Sequence, residues 1–362
     1  MDGLVTMPDW LSAYNGKSVF VTGDTGFKGS WLVRWLLLAG AKVSGYALPP
    51  ERAVNHFVRL GLAHKMHHVD GDIRDIDSLL MAVRQAQPEF FFHLAAQPIV
   101  RTSYEQPKET FDTNVGGSVN VLEVVRQTES IRSLIYVTSD KCYRNKEWIW
   151  GYRENDELGG KDPYSASKAA AEIVFQAYRE SFFDNRSELG VASVRAGNVI
   201  GGGDWAADRI VPDCVRALQD GLPIILRNPG ATRPWQYVLE PLSGYLLLGA
   251  KMYKSPKQFS GSWNFGPGGG AGHTVGELAK ILHDGWGGAD SPLQLMAGGP
   301  HEAGLLSLNC DKAATELGWR PRWNFATTVG QTLRWYKDVH EGTAEETVTI
   351  QQIREYMEAG HD

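Results

Sequence analysis

The most regular hydrophobic pattern lies near the start of the chain, in "KSVFVTGDTGFKGSWLVRWLLLAGAKVSGYAL". "SVFVT" is a β-branched and aromatic run that stops at a glycine, and it predicts a buried strand. From Phe27 to Ala39 the apolar residues recur at helical spacing, Gly40 ends that helix, and "KVSGYAL" begins a second strand. The alternation continues. "HHVDGDI" predicts a strand, Ile76 to Gln85 a helix, "EFFFHLAA" a strand, Lys108 to Gln127 a helix and "SLIYVTS" another strand. Strands alternating with helices imply a parallel sheet covered on both faces. The expected fold is therefore α/β, a Rossmann-type doubly wound parallel sheet.

The order loosens past Tyr164. A long helix is expected from Tyr164 to about Glu180, and "GVASVRAGNV" predicts a further strand. Beyond Gly201 the chain is rich in Gly, Pro and Trp, with short elements. We expect a dinucleotide-binding domain over residues 1–197 and a smaller α/β substrate lobe over 198–362, interleaved with the first.

Composition narrows the partners. The 362 residues carry a net charge of -6 and no basic block, which argues against nucleic acid as the main partner. The amino terminus lacks a secretory apolar core. "SWLVRWLLLAGAKV" is interrupted by Arg34 and is too short to span a bilayer. Cys142, Cys214 and Cys310 are widely spaced and form no CxxC pair, so free thiols in a reducing cytoplasm are expected. No His/Cys/Asp cluster has metal-ligand spacing. The Trp31/Trp35 pair, four apart on a helix, predicts core packing.

Candidate chemistry sits at strand ends. Gly23, Gly26 and Gly29 form G-x-x-G-x-x-G between a strand and a helix, where backbone N–H groups and the helix dipole suit a pyrophosphate. After the second strand, "GYALPPER" has no acid at its tip to hold an adenosine ribose. Glu51 and Arg52 are near, and the choice between NAD and NADP stays open on these residues. In "DGDIRD", Asp72 can accept a hydrogen bond from an adenine amino group or cap a helix. Asn114, polar within a helical pattern, can hold a water, a main-chain kink or a plain buried hydrogen bond.

Tyr164 and Lys168 lie four apart in "DPYSASKAAAE" and so share a helix face. A phenol ionises near pH ~10, and a neighbouring ammonium favours its phenolate form. Ser139 in "TSD" can bond a substrate hydroxyl, and Asp140 is a candidate acid. Arg195, Arg209 and Arg233 are arginines able to clamp a diphosphate. His301 stands in "GGPHEA".

Together "TGDTGFKG", "HLAAQP", "TSD", "YSASK" and "RAGNVIGGGD" resemble the extended short-chain dehydrogenase/reductase superfamily. "TSDKCYRNKEWIWGYRENDELGG" and "RPWQYVLEPLSGY" resemble its CDP-D-glucose 4,6-dehydratases. The resemblance covers the chain from about Trp10 to the last helix. It implies NAD as cofactor, CDP-D-glucose as substrate, and an assembly of two or four copies. The activity implied is dehydration to CDP-4-dehydro-6-deoxy-D-glucose, a step towards the 3,6-dideoxyhexoses of bacterial surface polysaccharides such as lipopolysaccharide O-antigen.

The resemblance also assigns residues. The cofactor falls to Gly23, Thr25, Gly26, Phe27, Lys28, Gly29, Asp72, Ile73, Leu94, Ala95, Ala96, Tyr164 and Lys168. The nucleotide sugar falls to Gln97, Ser139, Asn198, Arg209, Arg233 and His301. Catalysis falls to Ser139, Asp140, Lys141, Tyr164 and Lys168. Lys141 stands where related dTDP-glucose dehydratases have a glutamate base. A lysine is normally protonated, so Lys141 is either the C5 base or a cation that stabilises the enolate. Two rivals remain on the same fold: a nucleotide-sugar 4-epimerase or decarboxylase, which needs no "DK" pair after the serine, and a dinucleotide-sensing regulatory protein, which can dispense with Tyr164 or Lys168.

Overall fold

The computed structural model describes residues 8–50, 54–268, 272–287, 293–295 and 305–359. The alternating pattern resolves into strands β1 (Ser18–Thr22), β2 (Lys42–Ala47), β3 (His67–Asp70), β4 (Phe90–His93), β5 (Ser133–Val137) and β6 (Gly190–Arg195). The helices that matter for the site are α1 (Phe27–Leu38), α2 (Ile76–Ala86), α3 (Ser118–Arg126), α4 (Pro163–Tyr178) and α5 (Leu239–Lys254). The strands pair in parallel in the order β6-β5-β4-β1-β2-β3. Strand order reverses between β1 and β4, and in such sheets ligands bind beyond the carboxyl ends of the strands at that crevice.

Local sequence sets the boundaries. α1 stops at Leu38, and Gly40 follows at φ 78°, a left-handed position that glycine occupies without strain. Asp75 caps α2 by accepting the amide of Ser78, and Asp162 caps α4 by accepting that of Ser165. Trp31 and Trp35 are fully buried, as their helical spacing predicts.

Two departures have physical causes. The helix expected over Lys108 to Gln127 is broken by a π-helical turn at Asp112–Gly117. Within that turn buried Asn114 makes three bonds. Its amide donates to the Gln97 carbonyl and to Ser167 Oγ, and its oxygen accepts the Gln97 amide. Asn114 is thus a buried hydrogen-bonding residue and also lies in a π-helical turn, so the readings of a plain buried hydrogen bond and of a main-chain irregularity both hold. The second departure is a seventh strand, Gly261–Asn264, which pairs in parallel with the outer side of β6. Its four residues carry no long β pattern. One large apolar cluster runs from Val19 and Trp31 to Trp335 and Tyr356, so later segments of the chain pack directly on the sheet.

Candidate active site

The loops after β1, β4, β5 and β6 border one open cleft of about 2180 Å³. Small-molecule pockets commonly measure ~300–1,000 Å³, so this cleft has room for two ligands side by side.

The glycine loop forms the end below α1. Gly23 has φ 76°, and a Cβ there would stand 2.7 Å from the Ala95 nitrogen. A Cβ on Gly29 would stand 2.0 Å from the Gly23 carbonyl oxygen. Only glycine allows these two approaches. Gly26 precedes α1, and no side chain caps that helix, so its first amides are left for a ligand. The acid inside the loop, Asp24, turns away into the sheet. It bonds His68 Nδ1 at 2.7 Å, and burial raises its pKa although His68 opposes. The wall continues through Leu94, Ala95, Ala96 and Ile73, while Thr25 bonds the Leu48 carbonyl. A dinucleotide fits these residues: the first amides of α1 have no side-chain cap and are open to a pyrophosphate, and the loop's own carboxylate, Asp24, is taken up by His68.

Other predicted contacts are already engaged. Asp72 lines the cleft, but its carboxylate accepts three N–H groups of Arg74 at 2.6–2.9 Å, which hold its pKa below the usual range. Gln97 is bonded at both ends of its amide, to Thr110 Oγ1 and to the Ile99 nitrogen. Glu51, Arg52 and His301 lie outside the described residues.

The catalytic candidates converge on the middle of the cleft. Ser139 ends the β5 loop and accepts the Lys141 amide at 3.2 Å while donating to Asp140 Oδ1 at 3.0 Å. That pair of bonds folds Asp140–Cys142 into one tight helical turn packed against α4. Asp140 is buried, Lys141 is half-buried, and Cys142 is fully buried. Tyr164 and Lys168 lie on the first two turns of α4 and both line the cleft.

Their protonation is set by burial. Tyr164 is pushed up to about 12, chiefly by burial and further by Asp140, while Ser139 and Arg209 pull it down in part. Lys168 is pushed down to about 8, first by burial and then by the charge of Lys28, with Glu172 opposing. Lys28 is likewise pushed down to about 8, by burial and by Arg209, with Asp140 opposing. Three cations thus crowd one floor and repel one another, an arrangement that an anionic ligand relieves.

On the far side Arg209 pairs with Asp204 at 2.9 Å. Arg233 lies on a two-residue strand and lines the cleft together with Asn198, whose φ of 52° bends the chain after β6. Arg195, expected with Arg209 and Arg233 at a diphosphate, does not line the cleft. It is fully buried at the end of β6, where Glu172 holds its guanidinium. Sequence reasoning missed Asp208, which bridges Arg101 and Arg227 at 3.1 and 2.9 Å. It also missed Glu172, although a step of four beyond Lys168 on the same helix face was there to be read. Among the described residues no group of three or more His, Cys, Asp or Glu is placed to hold a metal ion. No helix among them is long and apolar enough to cross a membrane.

The profile of the NAD dependent epimerase/dehydratase family matches residues 19–261. A CDP-glucose 4,6-dehydratase of Salmonella typhimurium is 47% identical over 350 residues, covering 96% of this chain and 98% of that protein. A dTDP-glucose 4,6-dehydratase of Streptomyces antibioticus is 28% identical over 334 residues, covering 89% of this chain and 92% of its own. Among solved structures, the dTDP-glucose 4,6-dehydratase DesIV of Streptomyces venezuelae with NAD bound superposes with a TM-score of 0.76 at 26% identity, covering 89% of this chain and 98% of that one.

Proposed function

The chain belongs to the NAD dependent epimerase/dehydratase family, and within it we propose that it is an NAD-dependent hydro-lyase converting CDP-D-glucose to CDP-4-dehydro-6-deoxy-D-glucose. The observation that carries this reading is the turn Ser139–Asp140–Lys141 packed against α4, which sets an acid and an amine beside Tyr164 and Lys168 in one cleft. An epimerase needs the serine, tyrosine and lysine but not that added pair. The 47% identity over nearly both full lengths to a CDP-glucose 4,6-dehydratase supports the same choice.

Each residue has a task. NAD, when bound, supplies the hydride acceptor for C4 and afterwards the donor for C6. Tyr164 takes the proton of the sugar 4-hydroxyl, with Ser139 as its hydrogen-bonding neighbour. Burial holds the Tyr164 phenol up at about 12, with Ser139 and Arg209 pulling it down in part, and a cationic cofactor held in the same cleft would lower it further. Lys168 is held by α4 one turn away and supports the same phenolate. The C4 ketone acidifies the C5 proton. Lys141 removes that proton, Asp140 protonates the 6-hydroxyl, and water leaves. Asn198, Arg209 and Arg233 bind the nucleotide diphosphate. Free Cys142, Cys214 and Cys310 support placement in the reducing cytoplasm.

The test is incubation of the protein and NAD with CDP-, dTDP-, GDP- and UDP-glucose, followed by mass analysis. CDP-glucose is expected to be consumed in preference, giving a 4-keto sugar nucleotide lighter by one water. A product of unchanged mass, or preference for another base, overturns the reading.

A further inference from the structure

Gly197 follows β6 and lines the cleft between Ala196 and Asn198. Its backbone is not in the left-handed region, so conformation does not demand glycine here. Space does. A Cβ on Gly197 would stand 1.8 Å from Asp140 Oδ2, 2.1 Å from its Cγ and 2.5 Å from Oδ1. All three carboxyl atoms lie where a methyl group would be.

The backbone cannot yield in its place. Gln236 is buried, and its side-chain amide donates to the carbonyls of both Gly197 and Phe265 at 3.0 Å. The Gln236 main-chain amide donates to the Asn198 carbonyl. The Phe265 amide donates in turn to the Arg195 carbonyl, so the segment is fixed on both sides of Gly197. Asp140 is the movable partner. Its Oδ1 accepts only the Ser139 hydroxyl, and its Oδ2 is buried without a partner. An orphaned buried carboxylate oxygen is costly unless the site uses it.

We infer that Gly197 is the positioning residue for the acid of the elimination, seating the Asp140 carboxyl against its bare backbone. This rests on the reading that Asp140 protonates the departing 6-hydroxyl. In that step the Asp140 O–H proton passes to the 6-oxygen as the C6–O bond breaks. Lys141 receives the C5 proton, and the C5–H electron pair becomes the C5–C6 double bond. Water leaves, and Asp140 is left as a carboxylate. Tyr164 and Lys168 reside on α4 and take no part in the seat.

Gly197→Ala therefore separates the two halves of the reaction. In a single turnover with CDP-glucose and NAD, the variant should build up reduced nicotinamide at a rate within a few-fold of wild type. Formation of the dehydrated sugar should fall by ~100-fold or more, the scale of a lost general acid. Asp140→Ala should behave the same way. Adding Gly197→Ala to Asp140→Ala should then change neither the rate nor the Tm further, because the clash has lost its partner. A wild-type rate of dehydration in Gly197→Ala overturns the inference. So does an equal loss in both half-reactions, or the same fall in Tm whether residue 140 is Asp or Ala. Where Gly197→Ala alone fails to fold, recovery of folding in the double variant supports the seat, and failure of both rejects it. If wild type forms no dehydrated sugar, the proposed function falls, while the Tm cycle still decides the seat.

Discussion

Glu172 and Arg195 form an ion pair at 2.7 Å in which neither side chain has any exposed surface. The pair is the hub of a buried network. Thr138 Oγ1 and Ser193 Oγ donate to the carboxylate, and Arg195 donates to Tyr143 Oη, Ser262 Oγ and the Glu154 carbonyl. It ties α4 to the ends of β5 and β6 and to the edge strand Gly261–Asn264. Burial pushes the Glu172 carboxyl up, but Arg195 and the hydroxyls outweigh it and hold it below the usual carboxylate range. Glu172 is one turn beyond Lys168, and its charge is the first influence opposing the loss of the Lys168 proton. The network therefore bears on stability and on the protonation of Lys168 together.

Removing one partner leaves the other charge buried and alone. Glu172→Ala should cost ~3–5 kcal/mol in denaturant unfolding. Glu172→Gln keeps the shape and should cost less, while lowering the Lys168 pKa further. That second effect is read from the pH profile of C4 oxidation, whose lysine-dependent limb should move to lower pH. An unmoved limb would separate Glu172 from Lys168.

In the proposed cycle Tyr164 is the group that starts the chemistry. Tyr164→Phe keeps the ring in its buried site and removes only the hydroxyl, so folding and cofactor affinity should be near wild type. C4 oxidation should fall by ~100-fold or more. Single-turnover absorbance of reduced nicotinamide, beside a cofactor titration, measures both. Near-normal turnover would remove Tyr164 from the role of base.

Glu240 gives a pH signature remote from the cleft. It is fully buried on α5, where its carboxylate accepts the Trp323 amide at 2.8 Å and the Tyr356 hydroxyl at 2.6 Å. Burial pushes its pKa up to about 7, against those hydrogen bonds. The folded value thus lies above the unfolded one. Between about pH 4.5 and pH 7 the folded state keeps a proton that the unfolded chain has lost, so stability falls as pH rises through that window. The fall should be a few kcal/mol, and Glu240→Gln should flatten it. Denaturant unfolding of both proteins at pH 5 and pH 8 checks this. Parallel pH dependence in the two would show that Glu240 titrates normally.

Much of this was legible before any coordinates. β1, β4, β5 and β6 follow from short continuous apolar runs, because a parallel sheet covered on both faces buries nearly every residue of them, and α1 and the Tyr164–Lys168 face follow from the period of 3.6. The short edge strand Gly261–Asn264 was not legible, since four residues with a serine and an asparagine carry no period. It is a strand because β6 offers an open edge. Arg195 was misread for a related reason. In sequence an arginine beside a loop resembles a phosphate ligand, and only the fold brings it, buried, against Glu172 on α4. Gly197 was passed over because its need is spatial. Nothing in "RAGN" says that Asp140, 57 positions earlier, fills the space its side chain would occupy.

Lys141 decides whether the elimination uses an amine base. Its amide is fixed by Ser139 Oγ at 3.2 Å, so its position relative to Asp140 is set by the same tight turn. Asp140 and Lys141 are adjacent in sequence and both line the cleft, so the amine can take the C5 proton while the acid serves the leaving hydroxyl. The alternative is a lysine that stays charged and only steadies the enolate, with water taking the proton. The two differ in the fate of a C5 label. With C5-deuterated CDP-glucose, Lys141→Met should still oxidise C4, because Tyr164 and Lys168 are untouched. Its release of C5 deuterium to solvent should drop by ~100-fold or more, the scale of a lost general base. Deuterium release at the wild-type rate would assign the base elsewhere and leave Lys141 an electrostatic role.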